Sequence, residues 1–182
     1  LSGASVVGQA ISYTISSEIP VTNDGELLDL AWSGGLDAPQ VNKIDLNGDG
    51  NEEVVTFDRT SFTISVFEEI DGEMTYSPSL SEAFPENIAH WMLLRDFNGD
   101  GKKDLFTSNP LGMIVYVNTS DEETIRWRLY HSRSPGPSPL MTTGFNGTIN
   151  LQINATDIPD ISDLDGDGDL DILVFRFTGT ST

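Results

Sequence analysis

The sequence predicts an all-β fold of about three four-stranded antiparallel units, and three observations predict it. An acidic loop of one design occurs three times, starting at Asp45, Asp96 and Asp163, so the copies lie 51 and 67 residues apart. Runs of apolar and β-branched residues of strand length flank every copy. Helical periodicity stands out nowhere in the chain. Recurrence at roughly 50 residues marks a solenoid or a propeller, and the strands around the loops decide between them.

Taken in order, residues 1–10 are small and apolar. They read as the remnant of a secretory signal peptide, with Gly8 and Ala10 before a cleavage site, or else as a flexible N-terminal arm. Residues 11–39 hold one alternating strand (Ile11, Tyr13, Ile15) and turn residues Thr22 to Gly25, an N-terminal strand and linker ahead of the repeats at 40–182. In the first repeat, residues 41–44 and 54–57 bracket the loop as buried strands. Residues 62–66 then alternate, and residues 73–76 follow the hairpin signal Asp71-Gly72. The second repeat keeps this order with 91–94, 105–107, 113–117 and 125–130, where Ile125, Trp127 and Leu129 share one face and Arg126 and Arg128 the other. The Pro-, Gly- and Ser-rich stretch 132–138 is a loop that lengthens the second spacing. In the third repeat, residues 158–161 precede the loop and the strand-like run 172–177 follows it. About four strands per repeat, with the acidic loop between the first two, describe a β-propeller blade. Three blades cannot close a ring. The chain therefore reads as a segment of a longer protein, and its open edges are expected to leave it marginal or prone to association.

The loops carry the chemistry. The first is Asp45-Leu46-Asn47-Gly48-Asp49-Gly50-Asn51-Glu52-Glu53, the second Asp96-Phe97-Asn98-Gly99-Asp100-Gly101-Lys102-Lys103-Asp104, and the third Asp163-Leu164-Asp165-Gly166-Asp167-Gly168-Asp169-Leu170-Asp171. Each places oxygen side chains at positions 1, 3, 5 and 9 and glycine at 4 and 6. Alternate residues of a tight loop converge on one point, glycine at position 6 permits the sharp turn, position 7 can offer its carbonyl, and position 9 closes the cage. Hard divalent cations take about six to eight such oxygens at ~2.3–2.6 Å, and calcium is the natural guest. Asp, Asn and Gly also build ordinary turns, but three loops with the same oxygen positions and the same following strand favour metal. The third loop has the most acids and is expected to bind tightest.

Composition bounds the rest. The 182 residues carry 29 acids against 9 bases, a net charge of −20, which makes nucleic acid an improbable partner. The loops hold four, three and five of those acids, and three calcium ions would bring the charge to about −14. Cysteine is absent, which excludes disulfides, cysteine zinc sites and cysteine nucleophiles. No apolar stretch is long enough to span a bilayer as a helix.

Other loops of this type fit poorly. An EF-hand needs a bidentate Glu at position 12 and flanking helices, whereas position 12 is Thr56, Thr107 and Val174, all within strand-like runs. Dockerin-type loops enter helices, and the repeats of calcium β-rolls are tandem. Asp-x-[Asp/Asn]-x-Asp-Gly-x-x-[Asp/Glu] followed by an apolar strand instead resembles the FG-GAP, or VCBS, repeat, the calcium-binding blade of integrin-α-like propellers. Residues 32–45 with Phe57, Asp58 and Arg59, residues 93–104, and residues 157–161 resemble secreted VCBS-repeat proteins of Bacteroidota. The likeness covers roughly 20–182. It implies a ring of about seven blades in the parent, export often by the type IX system, and calcium in a structural role. Carried over, the side-chain ligands are Asp45, Asn47, Asp49 and Glu53; Asp96, Asn98, Asp100 and Asp104; and Asp163, Asp165, Asp167 and Asp171, with carbonyls of Asn51, Lys102 and Asp169 at position 7. Glu53 departs from the usual Asp, and its extra methylene implies a looser or bidentate contact at the first site.

No nucleophile elbow, zinc-binding helix or phosphate loop is present. His90 and His131 are the only histidines and read as rim residues rather than bases. Trp32, Trp91 and Trp127 read as core before sugar platforms, and Arg126, Arg128 and Arg133 as a solvated face. The expectation is a non-catalytic, secreted, calcium-binding module for adhesion or interaction at the cell surface, with a protein or glycan partner. The alternative is a carbohydrate-binding accessory propeller of a polysaccharide-degrading enzyme.

Overall fold

The computed structural model describes residues 16, 19–121, 123–131 and 140–175. The expected signal remnant, the strand at Ile11, Tyr13 and Ile15, Arg133, the 132–138 loop and the last residues of the 172–177 run lie outside the described residues.

β1 (Thr22–Asn23) and β2 (Glu26–Leu27) form a hairpin turned by Asp24 and Gly25, both left-handed at φ +50° and +87°. β3 (Pro39–Ile44), β4 (Glu53–Asp58), β5 (Thr63–Ile70) and β6 (Glu73–Tyr76) then make a four-stranded antiparallel sheet in chain order. One short helix, α1 (Pro78–Ser81), follows, with proline in its first turn. It is too brief to show a 3.6-residue period, which is why no helical signal stands out in the residues. Ser81 Oγ accepts from the Val66 amide at 2.9 Å and donates to the Ser77 carbonyl, tying the helix to β5. A second four-stranded sheet repeats the plan with β7 (Met92–Arg95), β8 (Asp104–Asn109), β9 (Gly112–Asn118) and β10 (Trp127–Leu129). A hairpin, β11 (Met141–Gly144) and β12 (Gly147–Asn150), comes next and is anchored by backbone hydrogen bonds at its base, where the Met113 amide donates to the Leu151 carbonyl and the Leu140 amide to the Met113 carbonyl. The third unit shows β13 (Ile158–Ser162) paired with β14 (Asp171–Phe175). The described architecture is therefore all-β, with two complete blades and the first pair of strands of a third.

The blades stack face to face. One cluster fills the space between blades one and two: Ile44, Val55, Phe57 and Val66 meet Met92, Leu94 and Leu105, closed at the rim by Phe84 and Ile88. A second cluster fills the opposite face of blade two, where Trp91, Phe106, Met113, Val115 and Val117 meet Ile153 and Ile161. Alternation along β8 sends Leu105 to one core and Phe106 to the other, so this strand is buried on both faces. Trp91 is a core residue and Trp127 stacks on Phe84 at 5.4 Å, while Trp32 is half-exposed and donates to the Ile19 carbonyl.

First strands of successive blades are joined by side chains rather than by a backbone ladder. Asn42 on β3 donates to the Met92 carbonyl at 3.3 Å and accepts from the Leu94 amide at 3.1 Å, and Gln40 accepts from the Met92 amide at 2.9 Å. Arg95 on β7 plays the same part toward β13 through the Ile161 carbonyl at 2.6 Å and Asp160.

Asp58, at the end of β4, accepts from the amides of Asp37, Ala38, Thr60 and Ser61. These donors, led by Asp37 and Ser61, hold its carboxyl down to about 2. A lowered folded value stabilises above the unfolded value of 3.8 and is lost as pH falls toward about 2. Thermal melts followed by circular dichroism are expected to show this loss between those limits, and Asp58→Asn should lower the neutral-pH midpoint and flatten that part of the acid limb.

Candidate metal centres

All three acidic loops fold alike, and their hydrogen bonds show why. The position-1 carboxylate bends back over the loop: Asp45 accepts from Gly48 and Gly50 at 2.7 and 3.0 Å, Asp96 from Gly99 and Gly101 at 2.8 Å each, and Asp163 from Gly166 and Gly168 at 2.7 and 3.1 Å. Position 3 accepts from the position-5 amide through Asn47, Asn98 and Asp165. Position 5 accepts from the position-7 amide through Asp49, Asp100 and Asp167. Both glycines of each loop lie in the left-handed region, at φ +78° and +89°, +73° and +86°, and +81° and +94°. The sequence explains position 6; position 4 has the same demand, and any L side chain there would be strained.

The last acidic position has a second task. Glu53 Oε2, Asp104 Oδ2 and Asp171 Oδ2 accept from the position-2 amides of Leu46, Phe97 and Leu164 at 2.7, 2.8 and 2.9 Å. This bond closes the loop across its neck, and the apolar position-2 side chains of Leu46 and Phe97 pack against the cores beneath. Glu53 and Asp104 are buried. Burial, followed by the charges of Asp45 and Asp49, pushes the Glu53 carboxyl up, and burial with Asp100 and Asp96 does the same to Asp104. Such groups gain when a cation neutralises them.

Carboxylate oxygens of Asp45, Asp49 and Glu53 lie within 4.8 Å of one another, as do those of Asp163, Asp165 and Asp171. Two oxygens on one calcium ion are at most about 5 Å apart, twice the ~2.3–2.6 Å bond, so both trios fit that ion. Glu53, despite its extra methylene, still closes with two acids of its loop and accepts from the position-2 amide, as the shorter Asp171 does. In the second loop Asp96, Asp100 and Asp104 do not close to that distance among the described residues. Asp104 is held by two amides, since its Oδ1 also accepts from Asn118 at 2.7 Å on β9, and this draws it toward the sheet. Lys102 turns outward to the Ser120 carbonyl.

A groove of about 740 Å³ separates the first and second loops. Lys103, at position 8 of the second loop, crosses it to the Lys43 carbonyl at 2.8 Å and to Glu52, position 8 of the first loop, at 2.6 Å. The lysine holds the Glu52 carboxyl below its usual range. The pair is exposed and worth at most about 1 kcal/mol. Lys103→Ala is therefore expected to leave the fold intact and, by removing a positive charge and freeing Glu52 beside the first loop, to strengthen metal binding there a few-fold, read by calorimetric titration.

Elsewhere the expected residues stand apart. His90 is half-buried with its ring edge-on to Phe62 at 5.4 Å, and His131 is exposed. Among the described residues neither imidazole hydrogen-bonds a side chain. Arg126 pairs with Asp121 and Arg128 is exposed.

Blades built as four-strand meanders, each with an acidic loop between its first two strands, define a repeat protein of the propeller-blade class. The FG-GAP-like repeat matches residues 45–107 and again 96–174, and the chain belongs to this family. Domains of this family are typically non-catalytic interaction modules. No curated protein and no solved structure matches the chain. No helix of the described residues is long and apolar enough to cross a membrane.

Proposed function

We propose that the chain is a calcium-stabilised interaction module of an extracellular protein, with one Ca²⁺ in each acidic loop and no catalytic role for the metal. The observation that carries it is the shared loop geometry, in which position-1, position-3 and position-5 oxygens are fixed by backbone amides while retaining free lone pairs. Ligands are Asp45, Asn47, Asp49 and Glu53; Asp96, Asn98, Asp100 and Asp104; and Asp163, Asp165, Asp167 and Asp171, with position-7 carbonyls of Asn51, Lys102 and Asp169. The ion supplies charge neutralisation at the turn joining two strands. The protein supplies a preformed cage and a dry floor beneath Glu53 and Asp104. Family repeats commonly bind calcium and are typical of extracellular proteins, which supports secretion and a role in adhesion or partner binding at the cell surface.

Calorimetric titration of the chelator-treated chain tests this. Three calcium ions per chain are expected, with the third loop tightest because it holds the most acids. A chain that takes up no calcium at millimolar concentration would refute the reading.

A further inference from the structure

We propose that the cleft at the opposite end of the strands from the metal loops binds a neutral, hydroxyl-rich ligand, a saccharide. The metal loops join the end of β7 to the start of β8. The cleft lies where β7 begins and β8 ends, between residues 87–90, the β8–β9 turn and residues 152–155 that lead toward β13. Its volume of about 410 Å³ falls within the ~300–1,000 Å³ range of small-molecule sites.

Its lining departs from the acidic character of the chain. None of its twelve lining residues is Asp, Glu, Lys or Arg, in a chain with 21% charged residues. Four are amides: Asn87, Asn109, Gln152 and Asn154. Asn87 and Gln152 are exposed and make no side-chain hydrogen bond among the described residues. Asn109 uses only its oxygen, toward the Leu111 amide at 2.9 Å, and Asn154 donates from Nδ2 to Asp157 at 3.1 Å. Donors and acceptors therefore remain side by side, the pairing that a sugar hydroxyl satisfies with both its hydrogen and its lone pairs. An ionic ligand would find no counter-charge here. Half-buried Tyr116 and His90 add aromatic rings to the lining, the side chains on which sugar C–H groups pack.

Backbone strain marks the same corner. Asn87 and His90 are left-handed at φ +66° and +69°, and Phe62, whose ring meets His90, is left-handed at +59° while 44% exposed. A bulky residue there costs on the order of 1–3 kcal/mol, and such outliers gather at ligand clamps. Arg59 Nε holds the His90 carbonyl at 2.7 Å, fixing the arrangement.

The inference rests on the reading of the chain as an interaction module, and its test is separable from the calcium titration. The calcium-loaded chain would be titrated calorimetrically with neutral hexasaccharides of glucose, mannose, xylose and N-acetylglucosamine, and with an acidic oligogalacturonate. At least one neutral oligosaccharide is expected to bind. The Asn87→Gly/Gln152→Ala double variant, in which glycine keeps the left-handed φ of +66°, should weaken it about tenfold, the loss of roughly two hydrogen bonds, with little change in the melting midpoint. The saccharide site is overturned if no neutral oligosaccharide binds at millimolar concentration, if only the acidic one does, or if the double variant binds equally well. A chain that takes up calcium yet fails these tests loses the saccharide site and keeps its proposed function.

Discussion

Calcium added to the chelated protein is expected to raise its thermal midpoint by about 5–10 °C for each loop it fills. A ligand that binds only the folded state adds about 2.7 kcal/mol at a hundredfold excess over Kd, and a chain of this size gains roughly 2–4 °C per kcal/mol. The expected size follows from what the loops contain without metal. Asp45, Asp49 and Glu53 crowd within 4.8 Å, and burial, followed by the charges of Asp45 and Asp49, pushes the Glu53 carboxyl up. The folded apo protein bears this repulsion and the unfolded chain does not. Magnesium should do far less, because it demands a tight octahedron and parts with water reluctantly. Differential scanning calorimetry with calcium, magnesium and chelator measures all three. Equal midpoints in calcium and chelator would mean that the loops are turns held by their own amides alone.

Replacing Asp104 by alanine is expected to cost about 2–5 kcal/mol even in chelator. Asp104 is fully buried and serves two backbone donors, Phe97 and Asn118, so its removal leaves two amides without an acceptor; each costs roughly 1–3 kcal/mol. The bond to Asn118 ties the second loop to β9, so the damage should spread into the sheet. Asp100 provides the contrast. It is exposed, and its pKa is lowered mainly by the Lys102 amide. Asp100→Ala should melt close to the parent in chelator and show a smaller calcium response. Urea unfolding of both variants with and without calcium separates the neck bond from the metal site. If Asp104→Ala and Asp100→Ala behave alike in chelator, the neck bond carries no stability of its own.

Much of this was legible from residues alone. The inner strands of both full blades fall on the apolar runs because those runs are buried, whereas the outer strands β6 and β10 are exposed or half-buried and were marked by their turns and alternation; the Asp71-Gly72 pair turns where a hairpin pair should. The shared hydrogen-bonded geometry of the loops, and the convergence of acids in the first and third, were readable because the spacing is local. Long-range partnerships were not. Nothing near Asp58 in sequence says that the amide of Asp37 will meet it, and nothing near Arg95 points to Ile161. The β11–β12 hairpin escaped because its Thr- and Gly-rich strands lack apolar alternation, although Asn146-Gly147 was a usable turn signal. The amide-lined cleft is assembled from three segments and leaves no linear motif.

The two cores on opposite faces of the second blade make its stability borrowed from both sides. Each blade interacts mainly with its neighbour, as units do in a linear array. Opening therefore begins at the outer units and moves inward. Amide exchange should be slowest along β8 and β9, faster on β3, and fastest on β14, whose Leu173, Val174 and Phe175 are solvent-exposed. Under slow heating the protein would unzip from its flanks, and the middle sheet would be the last to lose order.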